Sequence, residues 1–152
     1  MDDSIRLALI AEAVRYCQHV AKLGMPPSCY TKALREPIHY LWERRAGSKI
    51  RVAKFRSKDA VGLRFGGGEL RYDHAVPFNY LQSELLSLSP VTEQTVASTL
   101  EKYGTIVLIT RAENARLSGA GYGSRMPLDW DRTDPLARYK ALGIELVQNT
   151  GA

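Results

Sequence analysis

The chain has few cysteines and no long apolar run, and each absence excludes a class of protein. Two cysteines in 152 residues do not make a disulfide framework, and a chain of this length does not need one to stabilise its core. Cys17 falls at an apolar position of a predicted helix. This favours a buried free thiol over the alternative, a zinc site built from Cys17, Cys29, His19 and His39.

No apolar run approaches the ~20 residues that cross a bilayer. The first residues, Met1 to Ser4, are acidic where a secretory signal is basic. We therefore expect a cytoplasmic protein with no membrane partner. An apolar fraction of 45% and a charged fraction of 24% are typical of a globular chain, and the length favours one compact domain.

Acidic residues are absent from residues 44–58. This segment holds seven cations: Arg44, Arg45, Lys49, Arg51, Lys54, Arg56 and Lys58. The whole chain carries a formal charge of +5, so the remaining residues have a net charge of −2. Such a density of positive charge indicates a polyanionic partner, which we take to be DNA, with RNA not excluded. The alternative is a solvated linker.

The hydrophobic pattern predicts an α+β fold whose first part, residues 1–47, is a helical hairpin. The pattern indicates one helix over residues 5–23, which Ser4 caps, and a second from Cys29 to about Ala46. Pro37 must kink or divide the second helix, because proline cannot donate a backbone hydrogen bond. We interpret the aromatic cluster at Tyr40 and Trp42 as core rather than as a platform for stacking bases.

Residues 48–59 are predicted to be a basic connector, and residues 60–152 a mixed region. Within that region the sequence predicts short strands at 60–65 and 69–73, joined by a glycine hairpin loop, and a buried strand at 105–109. Helices are expected after Pro77 and Thr92. Thr110 and Glu113 have the spacing of a capping box that begins a further helix. A last helix is expected over 135–142, followed by an edge strand at 144–147.

Two segments carry residues suited to cutting phosphodiesters. The first, Tyr72-Asp73-His74-Ala75-Val76-Pro77, ends a predicted strand with an adjacent carboxylate and imidazole. The second, from Val107 to Leu117, is a strand that leads into a helix bearing Asn114. Over residues 69–127 this layout resembles the HNH (ββα-metal) endonucleases, most closely the HNH domains of CRISPR effector nucleases. The resemblance implies an elaborated ββα unit within the α+β fold.

The resemblance also implies roles for individual residues. His74 would be the general base, because an imidazole exchanges protons near neutral pH. Asp73 and Asn114 would bind Mg²⁺ or another divalent cation, which prefers oxygen ligands. Arg111 and Arg116 lie near Asn114 in the sequence and would reach adjacent phosphates. The function expected on this basis is metal-dependent endonucleolytic cleavage of DNA.

Each of these residues has a simpler interpretation. His74 could cap the turn before Pro77, Asp73 could be an ordinary turn residue, and Asn114 could be an exposed helix residue.

The family also carries an asparagine near its second strand that orients the histidine, whereas this chain has Gly104 and Thr105 there. The alternative function is therefore an inactive HNH-fold protein that binds nucleic acid, or one that binds a protein partner and blocks a nuclease.

Overall fold

The apolar stripe of the first residues forms helix α1, which spans Asp3–Lys22. The computed structural model describes residues 1–150 of the chain. The helix starts slightly earlier than predicted, because Asp2 rather than Ser4 caps it by accepting a hydrogen bond from the Ile5 amide at 3.0 Å. No helix in residues 1–150 has both the length and the apolar character required to cross a membrane.

Pro37 divides the second predicted helix, as expected. Helix α2 spans Pro27–Pro37 and is followed without a break by a π-helix over Ile38–Glu43. A π-helix is rare, and it occurs frequently at functional sites. Here it ends the helical hairpin three residues short of the predicted end at Ala46.

The helices make the larger of the cores. The N-terminal pair packs against α4 (Phe78–Leu86) and α5 (Glu93–Tyr103), the two helices predicted after Pro77 and Thr92. Their shared apolar interior includes Ile10, Val14, Leu34, Ile38, Leu81, Leu85, Val96 and Leu100. The predicted α+β class is confirmed, because these helices stand beside a sheet.

The sheet has four strands in the order β2-β3-β1-β4. They are β1 (Phe55–Ser57), β2 (Leu70–His74), β3 (Ile106–Thr110) and β4 (Leu146–Gln148). Strand β3 is interior, antiparallel to β2 and parallel to β1, so the predicted antiparallel pairing of the two motif segments is confirmed. Strand β4 is the expected edge strand, antiparallel to β1 and placed slightly later in the chain than predicted.

The region before β2 differs from the prediction. Residues 60–65 are not a strand and form no glycine hairpin with β2, since the hydrogen-bonding partner of β2 is β3. The expected basic connector, residues 48–59, instead contributes the short helix α3 (Lys49–Val52) and the interior strand β1. A strand of three residues is too short to reveal an alternating pattern in the sequence.

Helices α6 (Arg111–Gly119) and α7 (Ala137–Ala141) cover one face of the sheet. The predicted capping box is confirmed: the Glu113 amide donates to Thr110 Oγ1 at 3.0 Å, and Glu113 Oε1 accepts from the Thr110 amide at 2.8 Å. Ser57 Oγ donates to the same carboxylate at 2.5 Å and so joins α6 to β1. A separate apolar cluster, which includes Leu70 and Leu108, lies on the opposite face.

Candidate functional site

Asp73 and His74 point to opposite faces of the sheet. They are consecutive in β2, whose register against β3 is unbroken from Leu70 to His74, and successive side chains of a strand alternate between faces. Asp73 faces the side covered by α6 and α7. His74 shares the other face with Tyr72, two residues earlier in the strand. The two motif residues therefore do not sit side by side in one site.

Asp73 belongs to an ion pair whose arginine is buried and whose carboxylate is 17% exposed. Its Oδ2 accepts hydrogen bonds from Arg138 Nη1 at 3.1 Å and from the Tyr139 hydroxyl at 2.5 Å. The Arg138 guanidinium also donates to the main-chain oxygens of His74 at 2.8 Å and Ala75 at 3.2 Å. Burial, reinforced by the charge of Asp73, raises the pKa of Tyr139 well above its usual value. This cluster is a structural clamp between β2 and α7.

His74 makes its main contact with Glu43, which sequence analysis did not single out. His74 Nε2 lies 2.6 Å from Glu43 Oε2, and the Glu43 side chain is only 5% exposed. The other carboxylate oxygen, Oε1, lies 3.3 Å from Nδ1 of His39. One buried carboxylate thus links two imidazoles, whose side chains are 32% exposed at His74 and 29% exposed at His39.

The Glu43 carboxylate is charged at neutral pH. Burial alone would raise the pKa of Glu43, but hydrogen bonds and charge interactions with His74, and then with His39, outweigh it and hold that pKa below its ordinary value of 4.5. A carboxylate can only accept hydrogen bonds, so Nε2 of His74 must be the donor in this pair. A neutral His74 ring then carries its lone pair on Nδ1.

Tyr72 packs against His74 on the same face of β2. The two rings meet edge to face with centroids 5.7 Å apart, and Lys49 Nζ lies 4.9 Å from the centre of the tyrosine ring. The Tyr72 hydroxyl is buried close to Glu43. Burial, followed by the charge of Glu43, raises the pKa of Tyr72 above its usual value, so its hydroxyl stays protonated.

A small cavity of about 60 Å³ lies beside Glu43, with Arg45 and Lys54 in its wall. One buried water needs roughly 10–15 Å³, so the cavity has room for a few waters. Gly104 and Thr105 also line it. A side chain at Gly104 would force the backbone to shift, because its Cβ would lie 2.5 Å from the Leu100 carbonyl oxygen.

Three of the predicted nucleic-acid-binding cations lie on the His74 side of the molecule, and two more are exposed and close to them in the chain. Arg45 and Lys54 share the cavity wall with Glu43, and Lys49 covers Tyr72. Arg44 and Arg51 are exposed nearby in the chain. We call these residues the basic surface: Arg44, Arg45, Lys49, Arg51 and Lys54.

Two other cations of the basic segment contact groups away from His74. Arg56 is buried, and its Nη1 donates to the carbonyl oxygens of Ala60 at 3.2 Å and Leu63 at 3.3 Å. The prediction that Arg56 contacts a phosphate is therefore wrong, because this buried guanidinium binds carbonyl oxygens in the turn after β1. Lys58 is exposed but lies 3.3 Å from the carboxylate of Glu145.

The residues predicted on α6 do not join His74 either. Arg111 and Arg116 are exposed, and Arg116 donates to the Leu142 carbonyl oxygen at 2.6 Å. Asn114 is half-buried on the same helix, which packs on the Asp73 face through Leu117. The predicted set of His74 with Asp73 and Asn114 is thus divided between the two faces of the sheet.

Within residues 1–150, no group of three or more His, Cys, Asp or Glu side chains could hold a metal ion. Asp73 is the only carboxylate of the predicted ligand pair, and it is already held by Arg138 and Tyr139. Asp73 and Asn114 therefore do not form a divalent-cation site beside His74, where the general base would act.

Sequence analysis named His39 only as an alternative zinc ligand and did not single out Glu43, although a signal for the pair exists. They are four residues apart, a spacing that places two side chains on the same side of a helix. Glu43 is also the last acidic residue before the cationic segment. No comparable signal marks Arg138 and Tyr139, whose partner lies more than 60 residues away in the sequence.

Comparisons of this chain with protein-family models, with curated proteins and with solved structures find no match in any of the three.

Proposed function

We propose that this protein is an endonuclease that cleaves nucleic acid at His74, with His74 as the general base and Glu43 as its positioning residue. The contact of 2.6 Å between His74 Nε2 and Glu43 Oε2 carries the proposal. A buried carboxylate that holds one imidazole nitrogen fixes the tautomer and orientation of the ring. It also compensates the positive charge that the ring acquires when it accepts a proton.

The position of Glu43 supports this role. In the HNH proteins that the motif resembles, an asparagine near the second strand orients the histidine, and here Gly104 and Thr105 occupy that region. Glu43 approaches His74 from the N-terminal helical region instead. The Glu43 carboxylate would then orient His74, as the asparagine amide does in the HNH family, although it comes from a different part of the chain.

The basic surface supports a polyanionic substrate. Arg51 and Lys54 are exposed and form no ion pair with any described residue. Lys49 and Arg45 bring positive charge to the same side as His74. Cations in this arrangement would bind backbone phosphates of DNA, the substrate predicted from the sequence, or of RNA.

The proposal assigns no step to a metal ion. The sequence-based prediction of Mg²⁺ depends on Asp73 and Asn114, which do not join His74 in one donor set. A divalent cation stays a prediction, and the test below is therefore run both with Mg²⁺ or Mn²⁺ and with a chelator.

The proposal is tested by incubating the protein with labelled single-stranded and duplex DNA and RNA. We expect cleavage by the wild type and by the His19→Ala variant, which changes an exposed histidine on α1, but not by His74→Ala. Cleavage that is equal in wild type and His74→Ala would come from a contaminant and would contradict the proposal. If no substrate is cut but nucleic acid is bound, the protein is the non-cleaving binding module instead.

Binding is expected to be salt-dependent through the basic surface. Changing Arg51 and Lys54 together to glutamine should weaken binding to every sequence. It should also flatten the slope of log K against log salt by roughly 1.8, because each phosphate contact contributes about 0.9. The measurement is fluorescence anisotropy with labelled duplex DNA over a series of salt concentrations.

The control for this prediction changes Lys22 and Arg125 to glutamine. This pair removes the same charge from exposed positions outside the basic surface, at the end of α1 and in the loop after α6. An equal loss of slope in both double variants would show that net charge alone sets the affinity. In that case the basic surface is not the binding site.

A further inference from the structure

His39 shares the Glu43 carboxylate with His74, and the proposed function leaves it without a role. The Nδ1 atom of His39 lies 3.3 Å from Glu43 Oε1, while His74 Nε2 lies 2.6 Å from Oε2. The two imidazoles are thus attached to the two oxygens of one side chain, and each is about one third exposed. Each ring keeps its second nitrogen, Nε2 of His39 and Nδ1 of His74, outside the contact with Glu43.

Two imidazoles at one site can perform both proton transfers of a phosphodiester cleavage. One takes a proton from the attacking group and the other gives a proton to the leaving oxygen. Glu43 stays charged between them and compensates the positive charge on whichever ring holds the proton. An acid and a base therefore lie together, and within residues 1–150 no group of three or more His, Cys, Asp or Glu side chains could hold a metal ion to activate water.

The chemistry of this pair favours RNA. In RNA the attacking group is the 2′-hydroxyl of the substrate itself, so an activated water is not required. His74 removes the 2′-hydroxyl proton, a bond forms between O2′ and phosphorus, and the bond from phosphorus to O5′ breaks. The departing O5′ takes a proton from His39. The products are a 2′,3′-cyclic phosphate and a free 5′-hydroxyl, and atoms and protons balance without a co-reactant.

An exposed aromatic side chain beside His39 offers a surface for an unpaired base. Tyr40 is 60% exposed, in contrast to the prediction that it belongs to the core, whereas its neighbour Trp42 is buried as expected. The Tyr40 ring meets the His39 ring edge to face with centroids 5.0 Å apart. The Arg44 guanidinium lies 5.7 Å from the Tyr40 centroid. Stacking on an aromatic ring beside a cation is typical of single-strand recognition.

We propose that the protein cleaves single-stranded RNA without a metal ion, with His74 as general base, His39 as general acid and Glu43 holding both. This inference rests on the proposed function, because it requires His74 to be the base. It adds that the substrate contains ribose, that His39 is the acid that protonates the leaving oxygen, and that the reaction needs no metal ion.

The first test uses one oligonucleotide sequence in three forms in the presence of EDTA: all-RNA, all-DNA, and RNA with 2′-O-methyl groups. We expect the wild type to cut only the RNA form and to leave 2′,3′-cyclic phosphate and 5′-hydroxyl ends. Two results would overturn this inference and leave the proposed function standing: cleavage of DNA that needs His74, or cleavage that needs both His74 and added Mg²⁺ or Mn²⁺. If nothing is cut under any condition, both are wrong.

The second test separates an acid at His39 from a merely structural residue. The oxygen that leaves is replaced by sulfur in an RNA with a single 5′-phosphorothiolate linkage, because a thiolate departs without a proton donor. His39→Ala should slow cleavage of the ordinary linkage by roughly 10²–10⁴-fold but cleave the sulfur linkage at close to the wild-type rate. His74→Ala should be slow on both linkages.

The controls are His19→Ala on both linkages and thermal unfolding of each variant. A His39→Ala protein that stays folded and is slow on both linkages, or fast on both, would overturn the assignment of His39 as the acid.

Discussion

His74→Ala is expected to slow cleavage by roughly 10²–10⁴-fold while the affinity for nucleic acid stays within a few fold. The substitution removes the proton acceptor but leaves every cation of the basic surface in place. His74 is one third exposed on an edge strand, so the loss of its ring costs little packing. Single-turnover rates and anisotropy titrations, made on the same protein preparation, separate the two effects.

Glu43→Gln should give a smaller loss than His74→Ala. The glutamine keeps the shape of the side chain but loses the charge, so the base is retained with a less well-defined tautomer. His19→Ala serves as the matched control, because it removes an imidazole from an exposed position on α1. Equal rates for wild type and Glu43→Gln would show that the contact between Glu43 and His74 serves the fold rather than the reaction.

Arg138→Met is expected to lower the free energy of unfolding by about 3–5 kcal/mol, the usual result of breaking one partner of a buried ion pair. The Arg138 side chain is 2% exposed. Its guanidinium holds the Asp73 carboxylate at 3.1 Å and the carbonyl oxygens of Tyr122 at 2.7 Å and His74 at 2.8 Å. Methionine fills similar space but leaves the Asp73 carboxylate, whose side chain is 17% exposed, without its cation.

Urea unfolding measures this change directly, with Arg125→Met as the control at an exposed position. The double variant Asp73→Asn with Arg138→Met should recover part of the loss, because it removes both charges. Equal stability of wild type and Arg138→Met would contradict the role of the clamp.

Much of the fold could be predicted because its signals are local. The continuous apolar run of β3 indicates an interior strand, and Thr110 and Glu113 indicate the start of α6 from their spacing alone. Strand β1 gave no such signal, because three residues do not establish a period. Arg56 lies in this strand, so its burial could not be predicted from the sequence either.

The candidate site was only partly predictable. His74 is identified by its motif, and the period of a strand already implies that Asp73 and His74 face opposite ways. The partners of both residues depend on tertiary structure: Glu43 lies 31 residues before His74, and Arg138 lies 65 residues after Asp73. A resemblance to a family with a metal site directs attention to Asp73 and away from Glu43.

The clamp has a consequence for synthesis on the ribosome. The Glu43 carboxylate and the His74 imidazole emerge early, but β2 pairs with residues 106–110 and its end is fixed by Arg138. A nascent or truncated chain that stops before Arg138 contains both members of the proposed pair without the guanidinium that holds their strand in place. Since RNA surrounds every nascent chain, the site would not be assembled until Arg138 has been translated.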